Sequence, residues 1–154
     1  MPGDMKMTIQ GLEELQKLLS DPTLIDAPIK DFLHKSTLSV EDEAKRNAVV
    51  DTGRYRASIT SEVEPRKGTV GSNVEYAPFI EFGTKPHWPP PGALEPWARR
   101  HGFASEFMVR RAIAQRGTKA LHTLENALKV SKGKIQDFLD QVGNDILGRW
   151  QRNG

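Results

Sequence analysis

The chain has 154 residues, 37% of them hydrophobic, a size that suits one domain with its own core. It contains no cysteine, which excludes disulfides and thiolate chemistry, and its formal net charge is only +2. No apolar run approaches the roughly 20 residues that cross a bilayer, and the first residues lack the regions of a signal peptide, so we expect no membrane contact.

Two short elements are predicted before residue 21. Apolar and polar residues alternate from residue 5 to residue 9, which predicts a strand. Leucines then recur at helical spacing from residue 12 to residue 19, and Asp21-Pro22 is expected to close this helix.

A long helix is predicted next. Pro28 suits a first helical turn with Asp26 as its cap, and one apolar stripe continues to about Val49. Gly53 is expected to end the helix in a left-handed conformation, because glycine has no Cβ that would clash there.

The period of the pattern changes from helical to two after Ser58. Residues 59–64 alternate, the run Pro65-Arg66-Lys67-Gly68 is typical of a turn, and residues 70–74 alternate again. This pattern predicts an antiparallel hairpin. Its faces carry few large apolar groups, so we expect one face to pack lightly or to be covered by another subunit.

An apolar cluster and a proline-rich loop follow the hairpin. Because Pro78 disfavours a central strand, residues 76–82 are predicted to form a single helical turn that Gly83 ends. Four prolines in the eight residues from 85 to 92 predict a stiff, extended loop over 84–93.

Two short helices are predicted after the loop. The first spans residues 94–101 and is expected to bury Trp97. The second begins at a Ser105 cap and ends near Gln115, where Gly117 follows. Its buried side is expected to hold Phe107, Met108 and Ile113.

The last helix begins near Leu121 or Thr123 and keeps helical spacing almost to the end of the chain. Together the elements predict a single α+β domain over residues 1–154. We expect a small antiparallel β-sheet packed against helices, with a long C-terminal helix.

The sequence offers little for catalysis. The four histidines stand at no ligand spacing, no cysteine is present, and no glycine-rich loop has phosphate-binding form. Glu75 and Glu81 flank the aromatic cluster and could serve acid–base chemistry. A structural role is favoured, with Glu81 capping a helix or pairing with Arg54. We therefore expect a protein that is not an enzyme and that holds no cofactor and no metal.

Charge is unevenly placed. Residues 1–51 carry ten acidic and six basic residues, net −4, whereas residues 52–154 carry ten acidic and sixteen basic residues, net +6. Such asymmetry could reflect binding to nucleic acid, a head-to-tail contact between subunits, or only solvated helix faces.

The basic segment 99–119 contains Arg99, Arg100, Arg110, Arg111, Arg116 and Lys119. These bases could bind nucleic acid without sequence preference, line a channel through which DNA passes, or lie on a solvated face.

Two motifs resemble those of a known family. Asp51-Thr52-Gly53-Arg54-Tyr55-Arg56 resembles a "TGxLR" segment, and Tyr76-Ala77-Pro78-Phe79-Ile80-Glu81-Phe82-Gly83-Thr84 resembles a "YAxxxEFGT" segment. Both segments occur in head–tail connector and tail-completion proteins of long-tailed double-stranded DNA phages. The order of the motifs and the twenty residues between them also fit. The resemblance covers roughly residues 5 to 150, although the stretch from Pro86 to Phe103 is long for the family.

The resemblance implies a non-enzymatic virion protein, made in the host cytoplasm and located at the neck. Such proteins form rings, here expected to contain six copies, between the head connector or adaptor protein and the tail terminator or tail tube protein. The residues expected to anchor the loop base or to contact another subunit or partner are Thr52, Gly53, Arg54, Tyr55, Tyr76, Phe79, Glu81, Phe82, Gly83 and Trp88. Transient DNA contact would fall on the basic segment. The alternative is a nucleic-acid-binding module that uses the same segment.

Overall fold

The computed structural model describes residues 20–153, so the strand predicted at 5–9 and the helix predicted at 12–19 lie outside the described residues. The predicted α+β class is confirmed, with a two-stranded antiparallel sheet and a long C-terminal helix. The elements in chain order are α1 (Pro22–Asn47), α2 (Arg54–Ser58), β1 (Ile59–Glu64), β2 (Lys67–Ser72), α3 (Ala77–Phe82), α4 (Glu95–Arg100), α5 (Glu106–Arg116) and α6 (Thr123–Asn153).

The start predicted for the long helix was wrong. Helix α1 begins at Pro22, and Pro28 lies inside it, fully buried. Both prolines satisfy the local preference for the first helical turn, so sequence rules could not decide which one begins the helix. Gly53 is left-handed as expected, with φ of 82°, but it precedes α2 and does not end α1, which stops at Asn47.

The hairpin is confirmed. Its register runs from Ile59 opposite Ser72 to Glu64 opposite Lys67, so every second side chain of β1 faces α1. Ile59, at the start of β1, is completely buried. The outward face is polar, which leaves α1 as the main support of the hairpin.

The core lies where α1, the hairpin and α6 meet. Alanines at the contact, Ala44 and Ala127, are both completely buried, and small side chains let two helix backbones approach closely. Ser131 of α6 also donates a hydrogen bond from its hydroxyl to the carbonyl of Ser39 in α1, at 3.2 Å. The two long helices therefore form the frame on which the rest of the chain is placed.

Residues 84–122 form an excursion, which we name the lobe, that carries the proline-rich loop, α4 and α5. Ser105 caps α5 as predicted, because its hydroxyl accepts a hydrogen bond from the Phe107 N–H at 3.1 Å. The prediction that α5 buries Phe107 and Met108 was wrong, since these side chains are 52% and 64% exposed. The lobe is too small to cover both sides of a helix, so the apolar side of α5 stays partly open.

Candidate functional site

The first motif connects the end of α1 to the lobe. Asp51 binds Arg100 of α4 through both carboxylate oxygens, with the Nε to Oδ1 distance at 2.9 Å. The hydrogen bond from Arg100 holds the pKa of Asp51 below its usual range, despite an opposing effect of partial desolvation. This ion pair joins residues that are 49 positions apart and positions the lobe against the body.

Gly53 lets the chain turn directly into α2, and the next two residues take different environments. Tyr55 is 4% exposed, and burial raises the pKa of its hydroxyl. Arg54 lies on the surface with its guanidinium carbon 5.8 Å from the centre of the Tyr76 ring. Thr52 accepts a 3.4 Å hydrogen bond from the Arg54 N–H. The first motif therefore packs against the first residue of the second motif.

Glu81 caps the last helix from a distance. Its carboxylate accepts hydrogen bonds from the Leu124 and Glu125 N–H groups, both at 3.1 Å. The residue is only 7% exposed, and a carboxylate at a helix N-terminus is stabilised by the unpaired N–H groups and the helix dipole. The capping role expected for Glu81 is confirmed, and the carboxylate serves α6 instead of Arg54.

A backbone pair closes the base of the lobe. Thr84 and Thr118 exchange N–H to carbonyl hydrogen bonds, each at 3.2 Å, and their hydroxyls lie 3.1 Å apart. The adjacent Gly83 and Gly117 both have positive φ, and a Cβ on either would overlap the facing backbone. Glycine is therefore required at both positions.

An apolar groove of about 860 Å³ lies between the lobe and the body. It is lined by Tyr76, Phe79, Ile80, Thr84, Lys85, Pro86, His87, Pro89, Leu94, Trp97, Ile113, Thr118, Lys119 and Leu121. Phe79 remains 58% exposed at its edge, and Phe82, outside the groove, is 74% exposed. Exposed large apolar groups around a concave surface are typical of a site that contacts a partner.

A smaller cavity of about 290 Å³ lies beside the groove. Thr52, Gly53, Arg54 and Tyr55 line it together with Tyr76, which also borders the groove. The structure thus brings the first motif and the start of the second motif together. Tyr55 and Glu81 act inside the chain because they are buried, whereas Phe79 and Phe82 are accessible.

Trp88 lies apart from this site, on the lobe. Its ring centre is 6.4 Å from that of Phe107, and the Arg110 guanidinium carbon lies 5.8 Å from the Trp88 ring centre. Arg110 also donates to the Pro89 carbonyl at 2.9 Å. Glu106 accepts from the N–H groups of Gly92 and Leu94, and the bond from Gly92 contributes most to lowering the pKa of Glu106. These contacts fix the proline-rich loop onto α5.

The six bases of segment 99–119 do not form a single uncompensated face. Arg99 pairs with Glu95 at 2.9 Å, Arg100 pairs with Asp51, and Arg110 lies 3.6 Å from Glu106. Within residues 20–153, no ion pair involves the other three, which are Arg111, Arg116 and Lys119. Half of the charge expected to meet DNA is thus already bound to carboxylates of the same chain.

Sequence reasoning missed the partners of the motifs. The sequence places Arg100 in the basic segment and indicates no role for Thr118. One signal was present, because Gly117-Thr118 repeats the Gly83-Thr84 pair that ends the second motif. The ion pair between Asp51 and Arg100 left no comparable local signal.

Over the described part of the chain, no cluster of three or more histidine and acidic side chains could hold a metal ion. None of the helices within residues 20–153 combines the length and the apolar character that a bilayer span requires.

The comparisons with known proteins give one result. Residues 10–83, which are 74 of the 154, match the HK97-gp10-like family model, described as "Bacteriophage HK97-gp10, putative tail-component". No curated protein and no solved structure matches the chain. The matched segment contains the first motif and the second motif as far as Gly83, so the predicted relationship to phage tail and neck proteins is confirmed. Over residues 10–83, the chain is similar to the HK97-gp10-like family of bacteriophage tail components.

Proposed function

We propose that the chain is a structural virion protein that joins the head to the tail or completes the tail. Six copies form a ring between the head connector or adaptor protein on one side and the tail terminator or tail tube protein on the other. The protein is made in the host cytoplasm and ends at the neck of the virion. Its role is assembly and involves no catalysis.

The observation that carries the proposal is the family match, because it covers the first motif and the second motif as far as Gly83. The structure supplies a physical reason for assembly. Phe79, Phe82 and Trp88 are each more than half exposed. Covering these apolar side chains with other copies or with partners is favourable, because it removes apolar surface from water. Glu81 fixes α3, which carries Phe79 and Phe82, to the start of α6.

A genetic experiment tests the junction role. In the phage or prophage that encodes the chain, deletion of the gene is expected to leave filled heads and finished tails unjoined, because the ring between them is missing. A plasmid copy should restore joined particles, which electron microscopy counts directly. Joined, infectious particles in the deletion strain would contradict the proposal.

A biochemical experiment tests the ring. Light scattering of the purified full chain, combined with electron microscopy of negatively stained particles, is expected to detect closed rings at high protein concentration. Titration with a labelled DNA duplex at low salt provides a comparison, because the alternative function predicts tight binding that falls steeply with salt. DNA binding of that kind without self-association would favour the alternative.

A further inference from the structure

The apolar groove carries positive charge. Its charged lining residues are Lys85 and Lys119, and no carboxylate lines it. Neither lysine takes part in an ion pair within residues 20–153. The groove therefore suits an apolar surface that carries acidic residues.

A surface of that chemistry lies on the C-terminal half of α6. Leu139, Gly143, Leu147 and Trp150 follow one another at helical spacing on one side of the helix, and we name them the α6 stripe. Leu139 is 48%, Leu147 51% and Trp150 40% exposed, so the stripe is accessible to a partner.

The α6 stripe lies in an acidic window. Between Lys134 and Arg149 the helix carries three aspartates and no basic residue. One of them, Asp140, directly follows Leu139 and takes part in no ion pair within the described residues. A Cβ placed on Gly143 would have no neighbouring heavy atom within 4 Å. The centre of the stripe is therefore open to close approach by another copy.

The groove and the stripe of one chain cannot meet each other. The groove lies at the N-terminal end of α6, where Leu121 forms part of its wall. At a rise of about 1.5 Å per residue, Leu139 and Leu147 lie about 24 and 36 Å farther along the axis than Thr123. A contact between them must therefore join two copies.

We infer that the α6 stripe of one copy docks into the groove of the next copy, with Asp140 facing Lys85 and Lys119. The two surfaces are different patches of the same chain, so the contact is heterologous and repeats from copy to copy until the rotation closes. The inference rests on the proposed ring, and it names the two surfaces that meet within it.

Cross-linking tests the contact directly, because the chain contains no natural cysteine. His87→Cys at the groove and Leu147→Cys on the stripe are prepared separately, mixed, and treated with a short thiol-specific cross-linker. A cross-linker is preferable to direct oxidation, since a disulfide demands narrow geometry. The control replaces Leu147→Cys by Leu38→Cys, which lies on α1 and has the same 51% exposure.

The mixture of groove and stripe variants is expected to cross-link roughly tenfold faster than the control mixture, because docking raises the local thiol concentration. If light scattering detects assemblies and the two mixtures react at equal rates, the contact is wrong while the ring proposal stands. If the chain stays monomeric and the rates are equal, both are wrong.

A charge exchange gives a second, independent readout. Lys119→Glu and Asp140→Lys should each weaken self-association by roughly tenfold, because each places like charges across the contact. The double variant should recover most of the loss. Asp42→Lys, at an exposed position of α1 outside the contact, is the matched control and should leave self-association unchanged. No recovery in the double variant would contradict the assigned pairing.

Discussion

At the scale of single residues, the acid of the second motif acts as a helix cap. Glu81 is buried and accepts hydrogen bonds from two N–H groups of α6. Its replacement therefore leaves backbone N–H groups at the start of α6 without a partner. We expect Glu81→Gln to lower the free energy of unfolding by about 1 kcal/mol and Glu81→Ala by about 2 kcal/mol. Urea denaturation measures both. Glu75→Ala, at an exposed position just before the motif, should change little, and an equal loss there would contradict the cap.

Acidic side chains also make stability depend on pH. Lys45 donates to Glu41 at 2.5 Å and Ser61 donates to its second oxygen, so the pKa of Glu41 lies below its ordinary 4.5. A carboxyl whose pKa is lowered by folding stabilises the folded state above its ordinary pKa, and that contribution is lost as the pH falls through the lowered value. The pKa values of Asp51, Glu106 and Glu125 are lowered in the same direction.

The free energy of unfolding should therefore be nearly constant above about pH 5 and fall below about pH 4.5. Urea midpoints measured between about pH 6 and about pH 3 test this dependence. Glu41→Gln should lower stability at the upper end and reduce the fall at the lower end. If the stability of the variant depends on pH in the same way as that of the unchanged protein, Glu41 contributes nothing to the pH dependence.

At the scale of elements, two glycines allow the backbone pair that closes the lobe. Gly117→Ala should cost about 3 kcal/mol or more, because it combines a left-handed conformation with a Cβ that overlaps Thr84. Gly92→Ala is the matched control, since Gly92 is also left-handed with φ of 81° but has open space around it. It should cost only about 1 kcal/mol. Thermal unfolding of both variants separates the cost of the left-handed conformation from the cost of the overlapping Cβ. Equal losses of stability would show that no Cβ overlap occurs at Gly117.

Several local elements could be predicted from sequence because their signals lie within a few residues. The hairpin followed from alternation around Pro65, the helical turn of α3 from Pro78 and Gly83, and the cap of α5 from Ser105. Where two residues gave the same signal, as Pro22 and Pro28 did, the pattern alone could not choose between them.

Contacts between distant segments could not be predicted. Periodicity identifies an apolar side of a helix but not whether another element covers it, which is why Met108 was wrongly expected to be buried. The pair of Asp51 and Arg100 depends on where the lobe folds back, and no property of either residue specifies that. The sequence left Glu81 either as a helix cap or as a partner of Arg54, and only the fold shows that it caps α6.

At the scale of the whole molecule, the proposed self-assembly predicts that stability depends on protein concentration. If copies bind one another, the folded state is favoured by mass action, so the midpoint of thermal unfolding should rise with protein concentration. Calorimetry over a hundredfold range of about 1 to about 100 μM measures this shift. Asp140→Lys should reduce it, while a midpoint that is independent of concentration would show that the chain unfolds as an isolated monomer.

The pairing of Thr84 with Thr118 has one more consequence. The polypeptide leaves and re-enters the body at adjacent points, so we expect changes in the length of the segment between Thr84 and Thr118 to cost the two long helices little stability. A two-residue turn could bridge the gap, because such turns connect neighbouring antiparallel backbones. A longer or different peptide inserted between Thr84 and Thr118 should therefore be tolerated. This position is the natural place to graft a foreign peptide onto the protein.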